Sequence, residues 1–375
     1  MRVLFASGGT GGHIYPGLTL AGELLARGGH EVLFVGTERG LEGELVPRAG
    51  YELEFIHSGP LAGNVVNKAK SLLSIGRGVA EAKRIIMKFR PQVVVGTGGY
   101  ACGPVVMAAR ILGVPVLLQE QNAIPGKANR LLSRGAQIVA LGYSQAAPFF
   151  PKSVQGKIRV TGNPIRSQLL SQGAEGSYGL APGKTTVLLM GASQGARRLN
   201  QAAKSLYELA GQGQIQLLHQ SGPKLFSEAQ AQLEEVATEY GGKVEQEGEG
   251  LAWRGVHLYP YLYDMASAYR QTDLVISRAG AISLAEIAAL GLPAILVPYP
   301  HAAANHQFYN ARALQEAGAA IMLEDRSLTG ELLAGEVTGL LADSTRLQQM
   351  ASSSGKLGKK EATAQIVDLI LETRK

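Results

Sequence analysis

Residues 2–13 read RVLFASGGTGGH, a pattern typical of the first strand and turn of an α/β domain. A short apolar run ends in a glycine-rich turn, and a helical pattern follows directly. Glycine at this place lets the backbone turn tightly and approach a ligand, and the start of the helix offers N–H groups that favour an anion such as phosphate. Tight packing of the strand against the helix explains one such turn equally well.

Two further stretches repeat the arrangement. Residues 93–104 read VVVGTGGYACGP, and residues 186–197 read TVLLMGASQGAR. Because the carboxyl ends of parallel strands lie at one edge of a sheet, three glycine turns of this kind predict at least one anion site there.

Short apolar runs alternate with helical patterns along all 375 residues, which predicts parallel strands covered on both faces in doubly wound α/β sheets. The predicted strands are 2–6, 31–35, 93–95, 115–118, 137–140, 158–161, 186–190, 215–218, 256–258, 274–277 and 294–297. The Thr161–Pro164 turn with the Ser/Gly-rich stretch 171–183, and the stretch 352–360, indicate two joints. We therefore expect domains at 1–163 and 164–357, with a C-terminal helix, 358–375, that completes the first.

The charge is unevenly divided between the two halves. Residues 1–164 carry 18 Lys and Arg against 9 Asp and Glu, a net charge of +9, whereas residues 165–375 carry a net charge of −3. The first half is therefore expected to face an anionic partner, such as an anionic membrane or a phosphorylated substrate. Nucleic acid is disfavoured because no aromatic platform for base stacking accompanies the basic residues.

The composition also indicates the cellular compartment in which the protein works. Cys102 is the only cysteine, which favours a reducing environment, and no apolar run is long enough to predict a membrane span. The run after Met1 is predicted to be a core strand instead of a signal peptide, so we expect a cytoplasmic protein.

Metal and nucleotide-cofactor sites are not expected. The five aspartates include no Asp-x-Asp pair, and Cys and His lack zinc spacing. The first glycine turn has Ile14 where a dinucleotide fingerprint needs a small residue, and Gly183-Lys184-Thr185 precedes a strand instead of following one.

Two titratable residues are candidates for chemistry or binding. His13 follows the first glycine turn and is either a general base or a helix-start residue bonded to backbone. Glu286 lies in a helical pattern after the predicted strand 274–277, where it either accepts hydrogen bonds from ribose hydroxyls or complements the helix dipole.

Residues 68–90 form a basic amphipathic pattern. They hold seven Lys and Arg against one acid, Glu81, with apolar residues interleaved. The pattern predicts either a surface that lies on an anionic bilayer or an ordinary basic helix with a buried face. The candidate membrane residues are Lys68, Lys70, Leu73, Ile75, Lys83, Arg84 and Lys88.

Six motifs in a fixed order, from the first strand to the last helix, resemble the peptidoglycan glycosyltransferases that make lipid II from lipid I. The motifs are Gly9-Thr10-Gly11-Gly12-His13, Gly96-Thr97-Gly98-Gly99-Tyr100, Glu120-Gln121-Asn122, Gly162 to Arg166, Gly191 to Arg197, and Arg278 to Glu286. The resemblance implies a GT-B fold, in which two Rossmann-like doubly wound domains face a cleft.

The implied activity is transfer of N-acetylglucosamine (GlcNAc) from UDP-GlcNAc to the muramyl 4-hydroxyl of undecaprenyl-diphosphoryl-MurNAc-pentapeptide, with inversion and without a cofactor. The implied location is peripheral, on the cytoplasmic face of the cell membrane, and other cell-wall synthesis proteins are candidate partners.

The resemblance also assigns site residues. His13 is the implied base, and Gly98, Gly99, Tyr100 and Glu120 are implied to bind the acceptor. Implied donor contacts are Thr10, Gly11, Gly12 and Asn122 near the sugar, Arg166, Ser193, Ala281, Ile282 and Ser283 at the diphosphate, the Leu262 backbone at uracil, Glu286 at ribose, and Gln307 at the GlcNAc hydroxyls.

The chain departs from the family pattern at two positions. Gln119 stands where a histidine often precedes Glu-Gln-Asn, which leaves His13 as the better base, and Ala192 stands where a second glycine is common. Three alternatives stay open: a non-hydrolysing UDP-GlcNAc 2-epimerase, which would not need the basic surface at 68–90, an NAD-dependent oxidoreductase, and a membrane-recruited nucleotide-sugar sensor without activity.

Overall fold

The computed structural model describes residues 1–374 except Arg39 and the ranges 60–64, 172–177 and 192–193, and it describes only the helical backbone of residues 65–72. The chain divides into two compact units. Unit 1 comprises Met1–Ser167 and Lys359–Lys375, and unit 2 comprises Gln168–Gly358. The sequence pattern placed the joints at 163/164 and 357/358.

Unit 1 is built on a seven-stranded parallel sheet in the order β3-β2-β1-β4-β5-β6-β7. The strands are β1 (Arg2–Ser7), β2 (Glu31–Gly36), β3 (Leu53–Phe55), β4 (Val93–Gly98), β5 (Val116–Glu120), β6 (Ile138–Leu141) and β7 (Ile158–Val160). The helices are α1 (Gly11–Ala26), α2 (Glu42–Arg48), α3 (Val65–Phe89), α4 (Cys102–Ile111), α5 (Lys127–Leu132) and α13 (Ala362–Glu372).

Both faces of this sheet are buried, as expected for continuous apolar strands. Along β1 the side chains alternate, so that Val3 and Phe5 enter one core cluster and Leu4 and Ala6 enter the other. α13 joins the first of these clusters through fully buried apolar side chains, including Ile366. The last helix of the chain is therefore part of the core of unit 1.

Unit 2 contains an eight-stranded sheet in the order β10-β11-β12-β9-β8-β13-β14-β15. The strands are β8 (Thr186–Met190), β9 (Gln216–Gln220), β10 (Glu245–Glu247), β11 (Gly250–Trp253), β12 (Val256–Tyr259), β13 (Leu274–Ser277), β14 (Ala294–Leu296) and β15 (Ala320–Met322). The helices are α6 (Arg197–Gly211), α7 (Phe226–Glu239), α8 (Met265–Arg270), α9 (Ala281–Leu290), α10 (His306–Glu316), α11 (Gly330–Ala342) and α12 (Ser344–Leu357).

One part of unit 2 differs from the expected all-parallel pattern. β10 pairs with β11, and β11 with β12, in antiparallel register. Antiparallel neighbours need only short connections, and here a turn at Arg254 and Gly255 joins β11 to β12. The other neighbouring strands of the sheet are parallel.

Among the described residues, no helix combines the length and the apolar character that crossing a membrane requires. The 25-residue helix α3 is long, but Lys and Arg recur along it.

Candidate active site

The first glycine turn joins β1 to α1. Gly9 has a φ of +88°, a conformation that glycine adopts without strain, and Thr10 precedes the helix in an extended conformation. Gly11, Gly12 and His13 are the first three residues of α1. His13 is half-buried, whereas Thr10 and Gly12 are exposed.

The second glycine turn, between β4 and α4, packs directly against the first. Gly98 and Gly99 have φ values of +111° and +84°. A Cβ atom on Gly98 would lie 2.6 Å from His13 Nδ1, and one on Gly99 would overlap the carbonyl of Gly8. Thr97 Oγ1 donates to the His13 carbonyl oxygen at 2.7 Å. The structure thus brings His13 together with two predicted acceptor residues, and Tyr100 follows them half-exposed.

A buried carboxylate shapes the loop after β5. Glu120 Oε1 accepts hydrogen bonds from the backbone N–H of Asn122 (3.0 Å) and from its Nδ2 (3.2 Å). Oε2 accepts from Gly126 N–H (3.0 Å) and Asn129 Nδ2 (2.9 Å). Glu120 is 1% exposed, and these hydrogen bonds position Asn122 and the loop.

Gln119, the position at which the chain departs from its family pattern, belongs to a buried amide network. Its Nε2 donates to Asn163 Oδ1 at 2.9 Å, and Asn163 Nδ2 donates to the Gln121 carbonyl at 2.9 Å. Gln121 Nε2 donates to the Thr97 carbonyl at 2.7 Å, which ties the network to the second glycine turn. Arg166 follows three residues after Asn163 and lies in unit 1, near its boundary.

Cys102, at the start of α4, is a packing residue. It is fully buried, and burial raises the pKa of its thiol to about 12. The thiol is therefore unreactive near neutral pH. Within the described residues, no group of three or more His, Cys, Asp or Glu side chains could hold a metal ion.

In unit 2 the third glycine turn follows β8. Ser193 lies outside the described residues, but the flanking Gly195 is described, with a φ of +76°. A Cβ atom on Gly195 would overlap the carbonyl of Ser221, so the turn lies against the end of β9. Asn200 Nδ2 donates to the same carbonyl at 2.9 Å.

α9 begins at the carboxyl end of β13 with Ala281, Ile282 and Ser283 as its first residues. Gly280 precedes the helix and has no side chain with which to cap it, and the first turn carries no acid. Glu286 lies one turn further on and is 4% exposed. The Tyr269 hydroxyl lies 3.4 Å from Glu286 Oε2, which orients the carboxylate.

Gln307 and Leu262 use part of their hydrogen-bonding capacity inside unit 2. Gln307 Oε1 accepts from the N–H groups of Ala279 (3.2 Å) and Tyr299 (2.9 Å). The Leu262 N–H donates to Gln220 Oε1 at 3.0 Å. These hydrogen bonds use the Gln307 side-chain oxygen and the Leu262 N–H.

Sequence reasoning missed what Glu42 and Arg278 do. Glu42 is fully buried and bonded to the first glycine turn, although the sequence pattern gave it no role. Arg278 Nη1 lies 2.5 Å from Asp325 Oδ1 and donates to the Val297 carbonyl at 3.0 Å, which ties together the ends of β13 and β14. Neither partner of Arg278 is adjacent to it in the sequence.

The predicted membrane residues lie along α3. Leu73 is 76% exposed, Lys88 and Arg84 are exposed, and Ile75 and Lys83 are half-buried. The side chains of Lys68 and Lys70 lie outside the described residues. α4 packs against α3 and adds the exposed apolar side chain of Ile111.

Two parallel-rich α/β units with glycine turns at the carboxyl ends of their strands are the architecture of the GT-B fold, which many glycosyltransferases share. The chain belongs to glycosyltransferase family 28: residues 3–141 match its N-terminal domain and residues 186–367 its C-terminal domain.

Curated relatives extend over the whole chain. Proteins from Halothermothrix orenii (41% identical, covering 100% of both chains) and Moorella thermoacetica (44%, covering 100% of this chain and 99% of the relative) are both named "UDP-N-acetylglucosamine--N-acetylmuramyl-(pentapeptide) pyrophosphoryl-undecaprenol N-acetylglucosamine transferase". The crystal structure of Acinetobacter baumannii MurG superposes with a TM-score of 0.74 at 30% identity and 99% coverage of both chains.

Proposed function

We propose that this protein transfers GlcNAc from UDP-GlcNAc to the muramyl 4-hydroxyl of undecaprenyl-diphosphoryl-MurNAc-pentapeptide (lipid I), which gives lipid II for peptidoglycan. The observation that carries this proposal is the 41–44% identity, over the full chain, to relatives named for that reaction.

Unit 2 binds the donor in this proposal. The N–H groups at Ala281, Ile282 and Ser283 face the diphosphate at the start of α9, where the helix dipole favours negative charge. Glu286 accepts hydrogen bonds from the ribose hydroxyls. Since the Leu262 N–H is engaged, its carbonyl accepts from uracil N3–H, and the Gln307 NH2 donates to a GlcNAc hydroxyl.

Unit 1 binds the acceptor. The backbone at Gly98 and Gly99 approaches the acceptor diphosphate closely because neither residue has a Cβ, and Tyr100 lies half-exposed beside them. The proposal also assigns contacts with the transferred sugar to Thr10, Gly11, Gly12 and Asn122.

Transfer with inversion requires a single displacement. His13 takes the proton of the 4-hydroxyl while that oxygen attacks the anomeric carbon, and the bond to UDP breaks. The start of α9, Arg166 and Ser193 stabilise the charge that grows on UDP. One such donor is typically worth about 3–4 kcal/mol in the transition state.

A radiolabel transfer assay tests the function. Labelled UDP-GlcNAc and a lipid I analogue are incubated with the enzyme, and each substrate is also omitted in turn. We expect labelled lipid only when both are present, and His13→Ala to lower kcat by about 10²–10⁴-fold. Conversion of UDP-GlcNAc to its C2 epimer without acceptor would indicate an epimerase, and donor binding without turnover would indicate a sensor. Near-full turnover by His13→Ala would show that His13 is not the general base.

We also propose that α3 holds the protein on an anionic membrane, on its cytoplasmic face. Lys83, Arg84 and Lys88 supply positive charge, and Leu73 supplies exposed apolar surface. Each Lys or Arg near an anionic bilayer contributes about 1 kcal/mol.

Replacing Lys83, Arg84 and Lys88 together by Gln is therefore expected to weaken binding to phosphatidylglycerol vesicles by about 100-fold, with the difference shrinking at high salt. A matched control removes the same charge from exposed positions of unit 2, Lys184, Lys243 and Arg346. Equal vesicle binding by the two triple variants would rule out α3 as the membrane surface.

A further inference from the structure

A fully buried carboxylate lies beneath the first glycine turn of unit 1. Glu42, the first residue of α2, accepts three hydrogen bonds. Its Oε2 accepts from Gly9 N–H at 2.8 Å. Its Oε1 accepts from Thr37 N–H and from Thr37 Oγ1, both at 2.8 Å. A buried carboxylate is costly unless it is hydrogen-bonded in this way, so the three donors and the acid form one unit.

Three glycines make the space for this side chain. A Cβ atom on Gly8 would lie 2.7 Å from Glu42 Oε1, and one on Gly36 would lie 2.5 Å from its Cγ. A Cβ atom on Gly40 would overlap the carboxylate itself. Gly8 and Gly36 have no positive φ, so they are needed for room and not for an unusual backbone conformation. Segments from β1, β2 and the following loop are thus all shaped around one carboxylate.

The carboxylate fixes the conformation of the turn that leads to His13. Gly9 N–H is bound by Glu42, and the Gly9 carbonyl accepts from Leu41 N–H at 3.3 Å, so segment 37–42 holds Gly9 from both sides. The neighbouring Gly8 abuts Gly99, and the His13 ring lies on Gly98. A shift of the first turn therefore changes how His13 meets the second turn. The Gly9 N–H is also unavailable to an anionic ligand.

We propose that Glu42 is a positioning residue for transfer: by binding Gly9 and Thr37 it sets the place of the His13 imidazole. This inference rests on the proposed function for its kinetic consequence. Glu42 itself, being fully buried, does not touch a substrate.

Glu42→Gln tests the proposal because it keeps the shape and removes one acceptor oxygen. The new NH2 faces either Gly9 N–H or the two Thr37 donors, so a donor meets a donor at one side of the turn. Glu44→Gln is the matched control, since Glu44 is an exposed acid in the same first turn of α2. UDP-binding sites are counted for each variant, and kcat is expressed per site.

We expect Glu42→Gln to lower kcat per UDP site by about 10–100-fold, because displacements of about 1 Å in a catalytic group have effects of this size. The dissociation constant for UDP, which binds unit 2, stays unchanged. Glu44→Gln behaves as wild type. Equal kcat per site in the two variants would overturn the proposal, as would a loss of activity fully explained by lost UDP sites.

A second measurement does not depend on turnover. The imidazole signals of the seven histidines are recorded by NMR, and His13→Ala assigns the His13 signal. We expect Glu42→Gln to move the His13 signal and Glu44→Gln to leave it in place. An unmoved His13 signal in Glu42→Gln would refute the positioning role even if the enzyme proved inactive on lipid I. A moved signal in a protein without transferase activity would instead contradict the proposed function alone.

Discussion

A methyl group added at Gly98 tests whether the contact between the two glycine turns of unit 1 is what places His13. The new Cβ would lie 2.6 Å from His13 Nδ1 and 2.9 Å from Cε1. Ordinary contacts begin near 3.4 Å, so the imidazole or the turn must move by about 0.8 Å. The φ of +111° adds backbone strain of about 1–3 kcal/mol for alanine.

These two effects predict two separable results for Gly98→Ala. The backbone strain lowers the unfolding temperature by about 2–4 °C for each kcal/mol. The displaced imidazole lowers kcat by about 10–100-fold, since a general base must lie within hydrogen-bonding reach of its proton. UDP affinity is expected to stay at the wild-type value because unit 2 is unchanged.

Gly50→Ala is the control, because it adds backbone strain without displacing a neighbouring side chain. Gly50 has a φ of +83°, but a Cβ atom there would meet nothing within 4 Å. It should lose stability through strain alone and keep its kcat. The assays are thermal unfolding and steady-state transfer to a lipid I analogue. If Gly98→Ala kept the kcat of Gly50→Ala while losing similar stability, the position of His13 against Gly98 would be irrelevant to turnover.

Two further predictions concern unit 2. Glu286→Gln should weaken UDP binding by about 10–100-fold in calorimetry, the value of charged hydrogen bonds to the ribose, and an unchanged affinity would remove Glu286 from the donor site. His219 is fully buried, and burial lowers its pKa to about 3, below the unfolded value of about 6.5. Its neutral form therefore contributes stability that is complete above pH 6.5 and is lost as the pH falls toward 3. At pH 5 the loss is about 2 kcal/mol, so His219→Gln should flatten the pH dependence of denaturant unfolding between pH 6.5 and 5; an equally steep profile would contradict this assignment.

The apolar runs predicted most of the long strands because their residues are buried on both faces of a sheet. The pattern missed β3, β10, β11 and β15, which are only three or four residues long, and two of them also carry acids. β10 consists of Glu-Gln-Glu, and β3 is Leu-Glu-Phe with only three residues. β10 and β3 form strands because their backbones pair with β11 and β2. This pairing depends on tertiary structure and cannot be predicted from the side chains of the short segments.

The glycine turn at Gly98-Gly99 and the start of α9 were predictable because each carries its own signal in the local sequence. The candidate site was not predictable where the function of a residue depends on a distant partner. Glu120 was assigned to the acceptor only through the family resemblance, and its contacts inside unit 1 had no signal in the sequence. In the structure its carboxylate accepts hydrogen bonds from Asn122, Gly126 and Asn129, so it supports the loop after β5.

The glycines of unit 1 have different structural roles that the sequence alone does not distinguish. Gly98 and Gly99 are needed for both a positive φ and close approach, whereas Gly8, Gly36 and Gly40 make room for Glu42. In the sequence all of them simply indicate a turn. The distinguishing feature is an acid that closely follows two such glycines, at Gly36, Gly40 and Glu42, because a carboxylate can be buried there only if backbone donors surround it. An anion-binding turn gains nothing from a carboxylate beneath it, so the presence of Glu42 argues that the first turn is built to hold His13 in place more than to bind phosphate through Gly9.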